Sequence, residues 1–303
     1  MIEKRLVQWY AANAGVDLDV AEREIVLTYV LCVLSDQGLL SQLAFKGGTA
    51  LRKIHLGPTG RFSLDLDFTS TSVAPPEALI LDLVAALHGQ TYYGLTFTIP
   101  SSDYYATTDS CGAEVSYTHD WVTGGRFGLQ VSLRAAPLLP VKPMDLRPER
   151  YFQWLGRMPP PVPSLDLHEM MGEKIRAAAQ RSRVRDLYDL YQLARQPYDR
   201  PLVRRIAVVK CWQTRFAFEP AAFLSSLVEG SYDWSDLSRL VRPDRLVAPA
   251  ELVRALQAEY RFLADLTAEE ARLAADPYGR EAGLEQGLVA TIASWGEHHG
   301  SDH

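Results

Sequence analysis

Residues 61–68 read RFSLDLDF, a stretch that places Ser63, Asp65 and Asp67 at alternate positions between apolar residues. A period of two is typical of a half-buried β-strand, whose successive side chains point to opposite faces. Asp is disfavoured in strands and neighbouring carboxylates repel each other, so a favourable interaction must offset both effects. A divalent metal would supply it, because hard cations bind carboxylate oxygens. A solvated strand face is the other interpretation of an isolated Asp-x-Asp, and the neighbouring sequence has to decide.

The residues directly upstream, 45–55, read FKGGTALRKIH. They predict a short strand that runs into Gly47 and Gly48 and then into a helix starting near Thr49, which can cap it. Glycines let a ligand approach the backbone, and a helix N-terminus offers free N–H groups to a phosphate. A structural turn is the alternative for Gly-Gly-Thr alone. A phosphate cradle followed by a carboxylate pair on the next strand is the combination that nucleotidyl transfer needs.

The composition indicates a soluble globular protein of one to three domains, with 303 residues, 47% hydrophobic and 22% charged. No apolar run reaches the roughly 18 residues of a membrane span, and the N-terminal sequence lacks the long apolar core of a signal peptide. Cys32, Cys111 and Cys211 form neither a zinc pattern nor a disulfide framework. We therefore expect a cytoplasmic protein that does not bind membranes.

The order of predicted elements indicates an α+β fold. Residues 1 to about 40 and 76–89 have helical patterns, and strand-like segments alternate with turns between about 43 and 134. A Pro-rich connector follows, and helical patterns continue from Leu165 to the end. We predict a mixed-sheet N-terminal domain over 1–145, with N-terminal helices, and an all-helical C-terminal domain over 146–303.

A second motif, EKIRAAAQRSRVRDLYDL, occupies residues 173–190. On one ideal helix Lys174, Arg181, Arg185 and Asp189 would lie within about 80° of one another and could face a triphosphate. The apolar positions do not keep one register, however, which predicts a break near 180–183. An exposed helix in which Arg185 pairs with Asp189 is the alternative interpretation.

The net charge of −6 alone argues against a nucleic-acid-binding protein, but the charge is unevenly distributed. Residues 174–215 contain eleven Lys and Arg and only three acidic residues. This basic segment is consistent with a local site for a polyanion. A set of solvated helix faces explains the count equally well.

The sequence KGGTALRK followed by RFSLDLDF, together with a Lys upstream of R-D-x-x-D, resembles the AbiEii/AbiGii-type, MenT-like nucleotidyltransferase toxins. These belong to the DNA polymerase β-like nucleotidyltransferase superfamily. The resemblance extends over roughly the whole chain and implies a nucleotidyltransferase-type sheet domain followed by helices. It implies a toxin of a toxin–antitoxin or phage-defence system that transfers a nucleotide from an NTP to RNA, most directly to the 3′ end of tRNA. It further implies one or two Mg²⁺ ions and a cognate antitoxin.

Carried over to this chain, the resemblance implies catalytic roles for Asp65, Asp67, Lys174 and Asp189, with Asp65 and Asp67 binding the metal. The predicted nucleotide-binding residues are Lys46, Gly47, Gly48, Thr49, Ser63, Arg181 and Arg185.

One departure from the superfamily pattern concerns the third carboxylate. Gln130 and Ser132 stand on the strand where an acid is expected, so Glu114, Asp189 or no residue completes the metal site. A catalytically weak nucleotide-binding protein therefore stays an alternative. A nucleotidyltransferase that modifies a protein or a small molecule, as other members of the superfamily do, is the second alternative.

Overall fold

The structure is a computed structural model that describes residues 1–299. The chain divides into two compact units. The first comprises Met1–Ala136, Val141–Ser164 and Arg239–Arg245. The second comprises Pro137–Pro140, Leu165–Ser238 and the chain from Leu246 onward. The domain boundary that the sequence predicts between residues 145 and 146 stays a prediction. Residues 300–303, which belong to the predicted second domain, lie outside the described residues.

The first unit combines a mixed sheet with helices, as predicted. Its helices are α1 (Lys4–Ala14), α2 (Leu18–Asp36), α3 (Gly47–Ala50) and α4 (Pro76–Leu87). Its strands are β1 (Leu43–Lys46), β2 (Leu66–Ser70), β3 (Thr91–Tyr92), β4 (Leu95–Thr98), β5 (Tyr104–Ala106), β6 (Ser110–His119), β7 (Val122–Ser132), β8 (Lys142–Met144) and β9 (Val162–Ser164). Helix α3 continues directly into a wider π-helical turn over Leu51–Leu56. Helices α1, α2 and α4 confirm the helical patterns predicted over 1–40 and 76–89.

The strand order is β3-β4-β6-β7-β2-β1-β9-β8, and β5 pairs with β6. Strand β2 runs antiparallel to β1 and parallel to β7. In this register Asp67 lies opposite Lys46 on one side and opposite Gln130 on the other. The carboxylate strand is therefore central in the sheet, next to the strand that leads into the glycine corner.

The two faces of the central strands differ in polarity. Leu66, Phe68 and Leu129 are at most 2% exposed, and helices α4 and α2 pack against β6 and β7. On the alternate positions Asp67 is half-buried and Gln130 is exposed. Because side chains alternate along a strand, the polar residues of β2 and β7 share one face of the sheet.

Strand β2 begins at a later residue than the sequence predicts. The alternating pattern predicts a strand over 62–68, but the strand runs from Leu66 to Ser70 and Asp65 occupies a bend. The N–H group of Phe62 donates to the carbonyl oxygen of Leu240 at 2.7 Å, so residue 62 bonds outside the sheet. Asp65 consequently lies at the entrance of the strand, where its side chain is exposed.

In the described part of the second unit, the secondary structure consists of helices joined by turns. The helices are α5 (Leu167–Gln180), α6 (Val184–Leu193), α7 (Arg200–Gln213), α8 (Pro220–Glu229), α9 (Ser235–Ser238), α10 (Pro249–Glu259), α11 (Ala268–Ala274) and α12 (Ala282–His299). Extended backbone at Arg181 and Arg183 separates α5 from α6, which confirms the predicted break near 180–183. Of the helices that the structure describes, none combines the length and hydropathy needed to cross a bilayer.

A buried network of charges holds the segment after α3 against α2. The Lys53 ammonium donates to Glu24 Oε1 at 2.8 Å and to Thr28 Oγ1 at 2.9 Å. Arg52 donates to Glu149 Oε1 at 3.0 Å and to the carbonyl oxygen of Gly60 at 2.8 Å. Burial alone would raise the pKa of Glu24, but Lys53 and Arg52 outweigh it and lower that pKa. The two cations that end the motif KGGTALRK are thus structural residues.

Replacing Lys53 with Met should lower the free energy of unfolding by about 3–5 kcal/mol, because it leaves the buried Glu24 carboxylate without its closest cation. The measurement is chemical denaturation at pH 7. The control is Arg134→Met, whose exposed pair with Asp109 is worth about 0–1 kcal/mol. Equal losses for the two variants would contradict a structural role for Lys53.

Candidate active site

The glycine corner lies directly against the carboxylate of Asp67. Gly47 begins α3 with φ +77°, and a Cβ placed on it would fall 2.9 Å from the Cβ of Asp67 and closer still to its carboxylate. The left-handed backbone and the lack of space both require glycine. The predicted phosphate-binding corner and the predicted metal-binding carboxylate therefore meet, as the sequence order suggested.

Gly48 faces a different pair of polar groups. A Cβ on Gly48 would lie 2.6 Å from Arg61 Nη2 and 2.9 Å from Ser63 Oγ. Both side chains are buried, at 6% and 8% exposure. The start of α3 is consequently bordered by a guanidinium and a hydroxyl, and these groups suit a phosphate ligand.

Asp65 is held in place by the same corner and by β7. The hydroxyl of the buried Thr49 donates to the carbonyl oxygen of Asp65, and the N–H group of Gly128 donates to Asp65 Oδ1 at 2.9 Å. Because its hydroxyl serves this contact, Thr49 would offer a phosphate its backbone N–H. The Asp65 carboxylate is oriented by a backbone donor while its side chain stays exposed.

The position beside Asp67 on β7 carries an amide. Gln130 is the register partner of Asp67, and its Nε2 donates to the hydroxyl of Tyr105 at 3.2 Å. Glu114 is exposed, and its carboxylate pairs with Arg126 at 3.0 Å. Among residues 1–299, no group of three His, Cys, Asp or Glu side chains is placed to hold a metal ion. The Asp67 carboxylate thus adjoins the glycine corner, and the Asp65 carboxylate adjoins Gly128 of β7.

In the second unit, Lys174 of α5 bridges two carboxylates of α6. Its ammonium lies 2.6 Å from Asp189 Oδ2 and 3.1 Å from Asp186 Oδ1, and both carboxylates are 2% exposed. Burial raises the pKa of Asp186, but Lys174 and Arg181 outweigh that effect and hold it at about 2. Two predicted site residues, Lys174 and Asp189, are therefore in direct contact across the helix break.

The other two cations of the second motif point to different acids. Arg181 pairs with Asp186 at 2.8 Å, and Arg185 of α6 pairs with Asp236 at 2.6 Å. A single stripe on one continuous helix does not form, because the chain is extended between α5 and α6.

The basic segment 174–215 is largely compensated within the second unit. Seven of its eleven Lys and Arg form ion pairs with carboxylates there: Lys174, Arg181, Arg185, Arg200, Arg204, Arg205 and Lys210. Several of these pairs are buried, such as Lys210 with Glu169 at 2.6 Å. The count of basic residues therefore does not by itself define a surface for a polyanion.

Sequence reasoning missed three residues: Arg61 and Gly128, which lie beside predicted site residues of the first unit, and Asp186, which pairs with Lys174 in the second unit. Arg61 opens the quoted stretch RFSLDLDF, and Asp186 is the first acid of R-D-x-x-D, three residues before Asp189 and so on the same helix face. Both were visible in the motifs. Gly128 acts through its backbone N–H and leaves no signal in the sequence.

A glycine corner that opens a helix, with one carboxylate on the adjoining strand of a mixed sheet and a second in the bend before it, is typical of a nucleotidyltransferase site. The family model described as "Nucleotidyl transferase AbiEii toxin, Type IV TA system" matches residues 29–277. The chain belongs to this family of nucleotidyltransferase toxins.

The solved structure of MenT4 agrees with this assignment. MenT4, a nucleotidyltransferase toxin from Mycobacterium tuberculosis H37Rv, superposes with a TM-score of 0.83 at 27% identity, covering 97% of this chain and 100% of that one. The CD-NTase CdnG of Bradyrhizobium diazoefficiens in complex with GTP matches at 14% identity over 93% of this chain and 97% of that one, with a TM-score of 0.23. A score this low does not establish a shared fold. No curated protein matches the chain significantly.

Replacing Gly47 with Ala should reduce nucleotidyl transfer by about 10²-fold, because the new Cβ displaces the Asp67 carboxylate. Gly38→Ala is the matched control: Gly38 has a similar φ of +72° but open space around its Cα. Both variants incur left-handed strain of roughly 1–2 kcal/mol, so the difference in activity isolates the collision. Equal activity in the two variants would contradict this geometry.

The ion pairs of Asp186 should make stability depend on pH. Its folded pKa of about 2 lies below its ordinary value of 3.8, so its contribution of about 2 kcal/mol is present above pH 3.8 and is lost as the pH falls toward 2. Asp186→Asn should lower the free energy of unfolding by about this amount at pH 7, with a smaller difference near pH 2.5. Denaturant titrations at both pH values test this. Asp109→Asn, at an exposed carboxylate, should change stability by less than about 0.5 kcal/mol.

Proposed function

We propose that this toxin transfers a nucleotide from an NTP to the 3′ end of an RNA, most directly tRNA, with release of pyrophosphate. The contact of the Asp67 carboxylate with Gly47 carries the proposal. It places the proposed metal-binding group of β2 against the proposed phosphate-binding corner at the start of α3, and phosphoryl transfer depends mostly on such positioning and charge neutralisation.

The first-unit residues would bind and orient the triphosphate. Backbone N–H groups at Gly47, Gly48 and Thr49 would receive phosphate oxygens, since the start of a helix favours anions. Arg61 and Ser63 lie against Gly48 and would add a cation and a hydroxyl. One carboxylate of the pair Asp65 and Asp67 would accept the proton of the acceptor hydroxyl.

Nucleotide contacts are also proposed for residues of the second unit. We propose that Lys174 contacts the nucleotide phosphates and that Asp189 orients its ammonium, to which it is paired at 2.6 Å. Arg181 and Arg185 are proposed as further nucleotide contacts. Each arginine would have to bind a phosphate in addition to its paired carboxylate, Asp186 or Asp236. The two arginines are therefore weaker candidates than Lys174.

The two carboxylates fit Mg²⁺. This ion keeps several waters and is commonly bound through one or two carboxylates together with substrate phosphates, so it does not require a cage of three protein ligands. Asp65 and Asp67 would hold it, and it would supply charge neutralisation at the transferred phosphoryl group. Gln130 beside Asp67 adds no negative charge.

The proposal extends to the partner of the protein and to its location in the cell. Membership of a type IV toxin–antitoxin family implies a cognate antitoxin, and we propose that the pair acts in phage defence by stopping translation. We also propose a cytoplasmic location. The free thiols of Cys32, Cys111 and Cys211, all buried, are compatible with a reducing compartment.

The amide at position 130 favours a second candidate function, that of a catalytically weak nucleotide-binding protein. With an amide at the register partner of Asp67, the site has one carboxylate fewer than a three-acid site would have. Such a protein would bind NTP without transferring it.

A labelled-nucleotide assay tests the proposal. Purified protein with Mg²⁺ and each α-labelled NTP in turn is offered bulk tRNA, lysate proteins and small-molecule acceptors in separate reactions. We expect label on the RNA as an extension at its 3′ end, abolished by chelation of the metal. Asp67→Asn, which keeps the side-chain shape, should lose at least about 10²-fold in rate.

Asp109→Asn, at an exposed carboxylate of the same unit, is the control and should keep full activity. Label on protein or on a small molecule instead of RNA would overturn the proposed acceptor. Binding of NTP without transfer in the wild-type protein would favour the non-catalytic candidate.

A further inference from the structure

A row of register partners crosses five strands on the polar face of the sheet. Lys46 of β1 lies opposite Asp67 of β2, which lies opposite Gln130 of β7. Gln130 lies opposite Gly112 of β6, and Gly112 lies opposite Tyr105 of β5. Directly opposed residues point to the same face, so the row runs from the glycine corner through the carboxylate to an aromatic residue.

Gly112 allows the Tyr105 ring to lean toward the site. A Cβ on Gly112 would lie 3.2 Å from both the Cε1 and the hydroxyl oxygen of Tyr105, so the ring occupies the space above the glycine. The hydroxyl accepts from Gln130 Nε2 at 3.2 Å. Tyr105 nevertheless remains 44% exposed. An aromatic ring thus contacts Gln130, next to Asp67 in the row, while part of its surface stays open to a ligand.

The position of the ring relative to the phosphate corner indicates which substrate it meets. In an in-line displacement the entering oxygen approaches the phosphorus opposite the leaving pyrophosphate. The corner at Gly47 and Gly48 lies on the β1 side of Asp67, and Tyr105 lies beyond β7 and β6 on the other side. If the pyrophosphate leaves toward the glycine corner along the sheet, the entering acceptor would arrive on the side of Tyr105.

We propose that Tyr105 is the stacking platform for the terminal base of the RNA acceptor, held in place by Gln130. This inference rests on the proposed function and names the acceptor subsite of the same site. Stacking suits a ring that is partly exposed and hydrogen-bonded to Gln130, the register partner of Asp67, because every base presents a π-face. A third acid at position 130 would repel the acceptor's phosphates. The amide of Gln130 instead orients the Tyr105 ring.

A purely structural role gives different expectations. Aromatic side chains often cover glycines on neighbouring strands, and such a Tyr would matter for stability alone. The test must therefore separate recognition of a base from support of the sheet.

The experiment compares binding of two RNAs to the wild-type protein and to Tyr105→Leu without NTP, by fluorescence anisotropy at fixed salt. One RNA is an acceptor-stem minihelix with its normal 3′ nucleotide, and the other lacks only the terminal base. We expect Tyr105→Leu to weaken binding of the normal RNA by roughly 5- to 150-fold, the range of base–aromatic stacking. Binding of the abasic RNA and the Kd for NTP should not change.

Tyr105→Phe keeps the ring but loses the bond to Gln130, and it should stay within about threefold of wild type. Denaturant titration of both variants reports any loss of fold. Equal weakening for both RNAs, or a raised Kd for NTP in place of RNA, would overturn the inference. If the wild-type protein labels RNA while Tyr105→Leu binds both RNAs normally, only the stacking platform fails. If the wild-type protein labels no RNA at all, the proposed function fails with it.

Discussion

The carboxylate of Asp67 fills the space that a side chain at position 47 would occupy, and the rest of the site depends on this contact. It requires a residue with no Cβ and a left-handed backbone at the point where β1 ends and α3 begins. The register that places Lys46 opposite Asp67 then brings the carboxylate level with the first N–H groups of the helix. The proposed donors for phosphate at the start of α3 and the proposed oxygens for a cation on β2 therefore lie side by side.

Buried ion pairs hold the helical segment that forms the corner. Arg52 and Lys53, in the π-helical turn that continues α3, are held by Glu24 and Glu149 in a buried network. Buried ion pairs contribute little net stability, but breaking one is costly, so such a network favours one arrangement over others. Thr49 ties the same helix to the backbone of Asp65. One short motif thus supplies both the ligand-binding corner and the contacts that keep it in place.

The sequence predicted the fold and the pairing of the corner with Asp67 because both rest on local pattern. Glycines before a helix, alternating residues in a strand and the lost apolar register near 180–183 are all visible along the chain. The start of β2 at Leu66 instead of residue 62 was not visible in the sequence, because the N–H group of Phe62 bonds to the distant Leu240. The same limit applies to Gly128 and to the row from Asp67 to Tyr105, which exist only once the strand register is known. The basic segment shows a further limit of the sequence, because a count of charges leaves out the acids that pair with seven of its eleven cations.

The most direct test of this account is a crystal structure of the protein with Mg²⁺ and a non-hydrolysable NTP. The account predicts a cation about 2.0–2.1 Å from a carboxylate oxygen of Asp67, with phosphate oxygens within hydrogen-bonding distance of the N–H groups of residues 47–49. A nucleotide bound away from this corner, or a cation held without Asp67, would contradict it.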